Sequence, residues 1–202
     1  EFNYAQAAVA VSMSGLEELQ NSGEEAIIDT AGFTLTGPAM KSLRNSRTRA
    51  EREGLVLRII PAREVGLWYD RLKLVSDQWL ESKGQTEKGF SLGAASLNYL
   101  GKFDIAIVSK LGSEDHPLAF ANIWISGDGN ELSVDLMRAG QDAPAGTMDF
   151  LLIGLIEHAR EQGCCGGIML LLANPGSGRS NAVLVGQIEG KRRCASNSRA
   201  RA

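Results

Sequence analysis

Three strand-like runs in close succession, Asp104 to Lys110, Leu118 to Ser126 and Glu131 to Arg138, are followed at once by an amphipathic helix, and this order limits the chain to a mixed sheet covered by helices. Between the last two runs, Gly127-Asp128-Gly129-Asn130 is hairpin chemistry, because these residues tolerate the positive φ of tight turns. In the third run Leu132, Val134 and Leu136 are expected to point one way, and Ser133, Asp135 and Met137 the other. From Thr147 onward, Met148, Leu151, Leu152, Leu155 and Ala159 recur at helical spacing and predict a buried stripe. Gly146 or Thr147 caps that helix, and Asp149 suits its positive end.

The flanking segments fit the same class. Ala26 to Asp29 reads as a short strand, and Thr36-Gly37-Pro38 as the start of a helix running to about Gly54, a suitable C-terminal stop. Leu55 to Ile60 is a strand ended by Pro61. A helix is expected over about 64–82, with Trp68, Leu72, Val75 and Trp79 as its core stripe, and a last apolar strand over Ile168 to Leu172. At 202 residues and 44% hydrophobic, the chain can bury one core or two small lobes sharing a sheet.

Composition narrows the function classes. No apolar run reaches the roughly 18–20 residues that span a bilayer, and Ala7 to Val11 is too short for a secretory signal, so the sequence reads as soluble. The net charge is -3, yet the tail from residue 174 holds six Lys/Arg against one Glu, which leaves an acidic body. Such a body argues against broad nucleic-acid affinity, and RNA or anionic lipid would need a local patch. The helix after Pro38 offers one, with Lys41, Arg44 and Arg52 at near-helical spacing, although a charge run of this kind also serves as a plain solvated face. Cys164, Cys165 and Cys194 make no disulfide framework and read as reduced, cytosolic thiols, and no His or Cys spacing suggests zinc. His116 and His158 read as structural or solvated, and no nucleophile elbow or catalytic triad is present.

The chemistry concentrates near the end of the third run. An acid and a base, Asp135 and Arg138, stand three positions apart. The carboxylate suits proton abstraction from a hydroxyl or capture of an ammonium group, and the guanidinium suits a phosphate or an oxyanion; a structural ion pair is the plain alternative. An i, i+3 pair faces one cleft only if the strand bulges or ends between its members. The following loop and helix start, Gly140 to Thr147, offer backbone N–H groups to an anion. Gln141 and Gly146 do not reproduce the spacing with which coenzyme-A-dependent acetyltransferases hold pyrophosphate.

Four runs together resemble the C-terminal catalytic domain of the bacterial phosphatidylglycerol lysyltransferases, also called aminoacyl-phosphatidylglycerol synthases or multiple peptide resistance factors. They are Gly23-Glu24-Glu25-Ala26-Ile27-Ile28-Asp29, Lys41-Ser42-Leu43-Arg44-Asn45, Lys88-Gly89-Phe90-Ser91-Leu92-Gly93, and Ser133 to Phe150 with Ala119-Phe120-Ala121-Asn122 before it. The resemblance implies an α+β, GNAT-like acyltransferase fold of two tandem lobes. Residues 23–54 would end the first lobe and 55–172 form the second, after an unmatched leader (1–22) and before a basic, low-complexity tail (173–202). It stops after Gly163, so the second lobe is expected to be incomplete. The implied activity is transfer of a lysyl or alanyl group from aminoacyl-tRNA to phosphatidylglycerol at the cytoplasmic face of the inner membrane, without metal or cofactor. Asp135 and Arg138 would be catalytic, while Lys41, Arg44, Phe90, Ser91, Ser133, Gly146, Thr147 and Asp149 would bind substrate. Two alternatives are a coenzyme-A-dependent GNAT N-acyltransferase and an inactive fragment.

Overall fold

A computed structural model of the chain describes residues 23–87, 93–164 and 167–173. Its strands are β1 (Gly23–Ile28), β2 (Leu55–Ile60), β3 (Asp104–Lys110), β4 (Ser113–Ile125), β5 (Glu131–Val134), β6 (Met137–Ala139) and β7 (Gly167–Ala173). They form one sheet in the order β1-β7-β5-β4-β3-β2, with β6 also paired to β4. Every pairing is antiparallel except β5 with β7. The helices are α1 (Lys41–Arg52), α2 (Val65–Lys83), the short α3 (Leu97–Leu100) and α4 (Thr147–Glu161). This is the α+β, largely antiparallel architecture expected from the sequence.

The sheet is buried on both faces, and the alternation in β3 shows how. Ala106 and Val108 join one core with Leu43 and Ala50 of α1 and Leu151, Leu155 and Ile156 of α4. Ile105 and Ile107 join a second core with Trp68, Leu72 and Val75 of α2 and Leu100 of α3. In β4 the same period of two sends Ala119, Ala121 and Ile123 toward α1 and α4, and Phe120 toward α2. The small alanines let α4 lie close to the sheet, as does Gly154, where an added Cβ would come within 2.5 Å of Leu57 Cδ1.

Local chemistry sets the element ends. Helix α1 begins at Lys41, later than Pro38 suggests, because Gly37 takes a left-handed φ of 86° and Lys41 N closes a turn on Pro38 O at 3.2 Å. It stops at Gly54, where φ is 73°. Helix α2 ends the same way, with Gly84 N on Glu81 O and Gln85 N on Leu80 O, both at 3.0 Å. Strand β4 starts at Ser113 rather than Leu118, since Leu111-Gly112 turns the chain tightly and Lys110 pairs with Ser113. Irregular register at Ser109 accommodates Pro117, which has no N–H to give the ladder. The Ser126–Glu131 hairpin forms as expected; its Asp128 carboxyl is held down to about 2 by the Ser126 hydroxyl and then by Asn130.

Candidate active site

The run from Glu131 to Arg138 is not one strand. Against β4, Trp124 pairs with Ser133 and Ile125 with Leu132, whereas Ala121 pairs with Met137 and Phe120 with Arg138. Between these registers β4 has Asn122 and Ile123, while the facing segment has Val134, Asp135 and Leu136. The extra residue is a β-bulge, and it reverses the expected alternation. Leu132 and Val134 enter the α1/α4 core, Leu136 enters the α2 core, and Met137 packs back against the first. The expectation that Leu136 follows Leu132 and Val134 therefore fails, and Asp135 and Arg138 come to the same face.

Asn122 holds the bulge. It is wholly buried, and its Oδ1 accepts both Asp135 N at 3.1 Å and Leu136 N at 2.7 Å. Its own N–H donates to Leu136 O at 3.1 Å. Two N–H donors on one side-chain oxygen fix the amide's orientation, so Nδ2 points away from the bulge, and the amide offsets part of the upward shift of the Tyr99 phenol.

Asp135 is half-buried, with two differently treated oxygens. Oδ2 accepts Gly93 N at 2.9 Å and the Tyr99 hydroxyl, while Oδ1 accepts nothing from a described residue. Tyr99 is delivered by α3, whose start is capped by Ser96 Oγ accepting Tyr99 N at 3.3 Å. Burial, reinforced by the Asp135 carboxylate, pushes the Tyr99 phenol above its ordinary range. Gly93 must lack a side chain, because a Cβ there would lie 2.0 Å from Tyr99 Cε1. Beyond Tyr99 the wall is aromatic: Phe103 meets it edge-on at 5.2 Å and stacks at 4.9 Å on Trp124, which reaches solvent.

The Arg138 side chain is only 7% exposed, and its guanidinium faces inward rather than toward an open phosphate site. Nη1 donates to Ser76 Oγ and to Glu87 Oε2 at 3.0 Å, and Nη2 donates to Glu87 Oε1 at 2.7 Å. The ring of Trp79 lies 5.1 Å from the guanidinium carbon, so Trp79 is a half-buried cation–π partner and not the core residue its spacing suggests. Arg138 holds the Glu87 carboxyl below the usual glutamate range. Glu87 Oε1 also accepts Ala95 N at 3.2 Å. Glu87 and Gly93 are thus tied to Arg138 and Asp135 respectively.

The other expected binding residues do not gather here. Phe90 and Ser91 lie outside the described residues. Ser133 sits beside Trp124 and, across the parallel pairing, beside Met169. Lys41 and Arg44 are on α1, whose buried residues join the core on the opposite face of the sheet. Arg44 Nη1 donates to Leu35 O at 2.6 Å and Gly37 O at 2.7 Å, which stitches the preceding turn to the helix, whereas Lys41 stays exposed. Gly146 and Thr147 start α4 with local bonds, Thr147 Oγ1 donating to Pro144 O at 2.7 Å. Asp149 accepts Ser46 Oγ of α1 at 2.7 Å, and Gly146 packs against the same serine, so α1 covers this helix start. The loop before it is fastened to α2, where Gln78 Oε1 accepts Gln141 N at 3.3 Å and fills the space a Gly140 side chain would need.

What remains is a carboxylate with one anchored oxygen and one that accepts nothing from a described residue, a buried amide on the same face, and a buried Arg–Glu pair fixing the adjoining chain. This set can accept a proton or hold an ammonium group. Sequence reading misses Glu87, Tyr99, Ser76 and the role of Asn122. The one available signal is an asparagine inside the apolar run Ala119 to Trp124, a polar group that burial forces to find partners.

The family model for phosphatidylglycerol lysyltransferase, C-terminal, matches residues 5–165, a span that begins ahead of Gly23. A phosphatidylglycerol lysyltransferase of Bacillus subtilis is 42% identical over 142 residues, 70% of this chain and 16% of that protein. The lysylphosphatidylglycerol biosynthesis bifunctional protein LysX of Mycobacterium ulcerans is 32% identical over 160 residues, 79% of this chain and 14% of its own length. The chain thus spans about one sixth or less of these relatives. Among solved structures, a lysylphosphatidylglycerol synthetase C-terminal domain from Agrobacterium fabrum superposes with a TM-score of 0.67 at 34% identity, covering 83% of this chain and 50% of that one. L-PGS from Bacillus licheniformis gives 0.65 at 36% identity, covering 78% and 47%. On this match, which takes in the bulge and the groups around Asp135 and Arg138, the chain belongs to the family of phosphatidylglycerol lysyltransferase C-terminal domains.

Proposed function

We propose that this domain transfers an aminoacyl group, lysyl or alanyl, from aminoacyl-tRNA to a glycerol hydroxyl of phosphatidylglycerol. The reaction is a transesterification. The lipid hydroxyl oxygen forms a bond to the aminoacyl carbonyl carbon, the bond from that carbon to the tRNA ribose oxygen breaks, and the hydroxyl proton ends on the ribose oxygen. The donor is already an activated ester, so positioning and charge stabilisation suffice. Asp135 Oδ1 takes the proton from the attacking hydroxyl and returns it to the leaving oxygen, with Oδ2 held still by Gly93 and Tyr99. Arg138 is a positioning residue, acting through Glu87. The product lipid gains positive charge, and the acceptor confines the reaction to a membrane surface. No helix among the described residues is long and apolar enough to cross a membrane. Lys41, exposed on α1, is an electrostatic contact for an anionic partner.

The bulge supports this reading most directly, because it brings Asp135 and Arg138 to one face, with one Asp135 oxygen accepting nothing from a described residue. The test follows labelled lysine from charged tRNA into lipid. Asp135→Asn should lower turnover about 10²–10⁴-fold with an unchanged circular dichroism spectrum. Full activity in that variant would refute the assignment of the base.

A further inference from the structure

We propose that the side of the sheet covered by α2 and α3 is the surface with which the domain docks on an anionic lipid bilayer. The inference rests on the transferase reading and deepens it by naming the face that meets the lipid acceptor.

Exposed apolar side chains are unevenly placed. Helices α1 and α4 expose none of their large apolar residues, whereas α2 exposes Leu67 at 79% and Leu74 at 60%. Leu97 of α3 is 46% exposed, and Trp124, stacked on Phe103 of the α2 core, is 40% exposed. The remaining two, Leu111 and Ile125, sit in a turn and at the end of β4. Leu67 and Leu74 are two turns apart on the surface of α2 that turns away from its buried Trp68, Leu72 and Val75, so they project from it together. A tryptophan with one part in a packed stack and another in water is the side chain that settles at a membrane interface.

The same side carries cations that the fold leaves available. Arg71 stands one turn from each leucine, and its guanidinium carbon lies 5.3 Å from the Trp68 ring, on which Arg58 of β2 also stacks at 5.0 Å. Neither arginine forms an ion pair among the described residues, and Arg58 meets Glu114 only as a longer-range charge. Glu64 is engaged by Arg63 and Asp77 by Lys73, so of the acids along this helix from Glu64 to Asp77 only Asp70 is without a cation. Leucines suit the acyl region of a bilayer and guanidiniums its phosphates, whereas an RNA partner would leave the leucines in water. Arg58 pairs with Ile107, Ile107 with Phe120 and Phe120 with Arg138, which puts Arg58 about 14 Å from Arg138 along one row that faces one side. A bilayer on this side lies against the face that carries Asp135.

Cosedimentation of the 202-residue chain with vesicles measures docking without requiring turnover. Wild type should bind phosphatidylglycerol-rich vesicles about 10-fold more tightly than phosphatidylcholine vesicles. Leu67→Glu/Leu74→Glu and Arg58→Gln/Arg71→Gln should each weaken that binding about 10-fold with an unchanged circular dichroism spectrum. Arg49→Gln/Arg52→Gln, a matched charge loss on α1, should leave it unchanged. Wild-type binding indifferent to lipid charge, or binding retained in the leucine variant, overturns the proposal, as does an equal loss in the α1 variant. So does a leucine variant that dissolves a dimer of this chain, or an arginine variant that releases RNA, while vesicle binding persists. A measurement free of surface substitutions uses bromine-labelled acyl chains, which should quench tryptophan fluorescence in the bound wild type, and Trp124→Phe should remove most of that quenching. Bound wild type without quenching overturns the proposal too. Vesicle binding without lysyl transfer counts against the transferase reading, whereas lysyl transfer by a chain whose leucine variant still binds vesicles counts against this surface alone.

Discussion

Gly93 shows how closely the residues around the carboxylate constrain one another. Its N–H must reach Asp135 while its Cα lies under the Tyr99 ring, and a methyl group would stand 2.0 Å from that ring. Gly93→Ala should therefore push Tyr99 off Asp135, destabilise the chain by about 1–3 kcal/mol in a urea melt, and depress transfer to the level of Tyr99→Phe. The phenol itself is testable. Burial and then Asp135 raise its pKa, so the neutral form stabilises the fold. That contribution is whole below the ordinary tyrosine pKa of about 10 and is lost as pH rises through the higher folded value. Tyr99 should resist ionisation in an ultraviolet alkaline titration until the protein unfolds, and Tyr99→Phe should remove that late step.

At the scale of elements, the Arg138–Glu87 pair couples β6 to the chain beyond α2. Removing one partner of a buried pair leaves an uncompensated charge, so Glu87→Ala should cost about 3 kcal/mol by thermal denaturation. The pH dependence has a definite sign. Glu87 is depressed chiefly by its hydrogen bond to Arg138, so its stabilisation is present above the usual glutamate pKa of about 4.3 and fades as pH falls through the lower folded value. The acid limb of the melting curve should be shallower in Glu87→Gln. Most elements around this pair are legible in the sequence, because the glycines after α1 and α2, the Gly127–Asn130 turn and the strand and helix periods are local signals. The bulge is not. Leu136 continues the apolar alternation of Leu132 and Val134, and since both faces of the sheet are buried, a leucine fits either one. Only the pairing with β4 reveals the extra residue. Arg138 misleads for a related reason: a sequence gives its charge but not the glutamate that already occupies its fork.

The whole molecule divides its tasks between the two faces of one sheet. The residues around Asp135 belong to the side covered by α2 and α3, whereas Gly146, Thr147, Asp149 and Lys41 belong to the side covered by α1 and α4. Substitutions in the core under α1 and α4 should then separate stability from turnover. Leu155→Ala, at a fully buried position on α4, is expected to cost about 2–5 kcal/mol in urea denaturation while leaving kcat unchanged at temperatures where the protein stays folded. A large kcat loss without destabilisation would contradict this division.

The sheet order also has a consequence in time. Strand β1, near the start of the described chain, pairs with β7, near its end. During vectorial synthesis the pairing of β1 seen among the described residues must wait until residue 173 has emerged. Chaperone dependence should therefore be greatest on nascent chains stalled just short of that point.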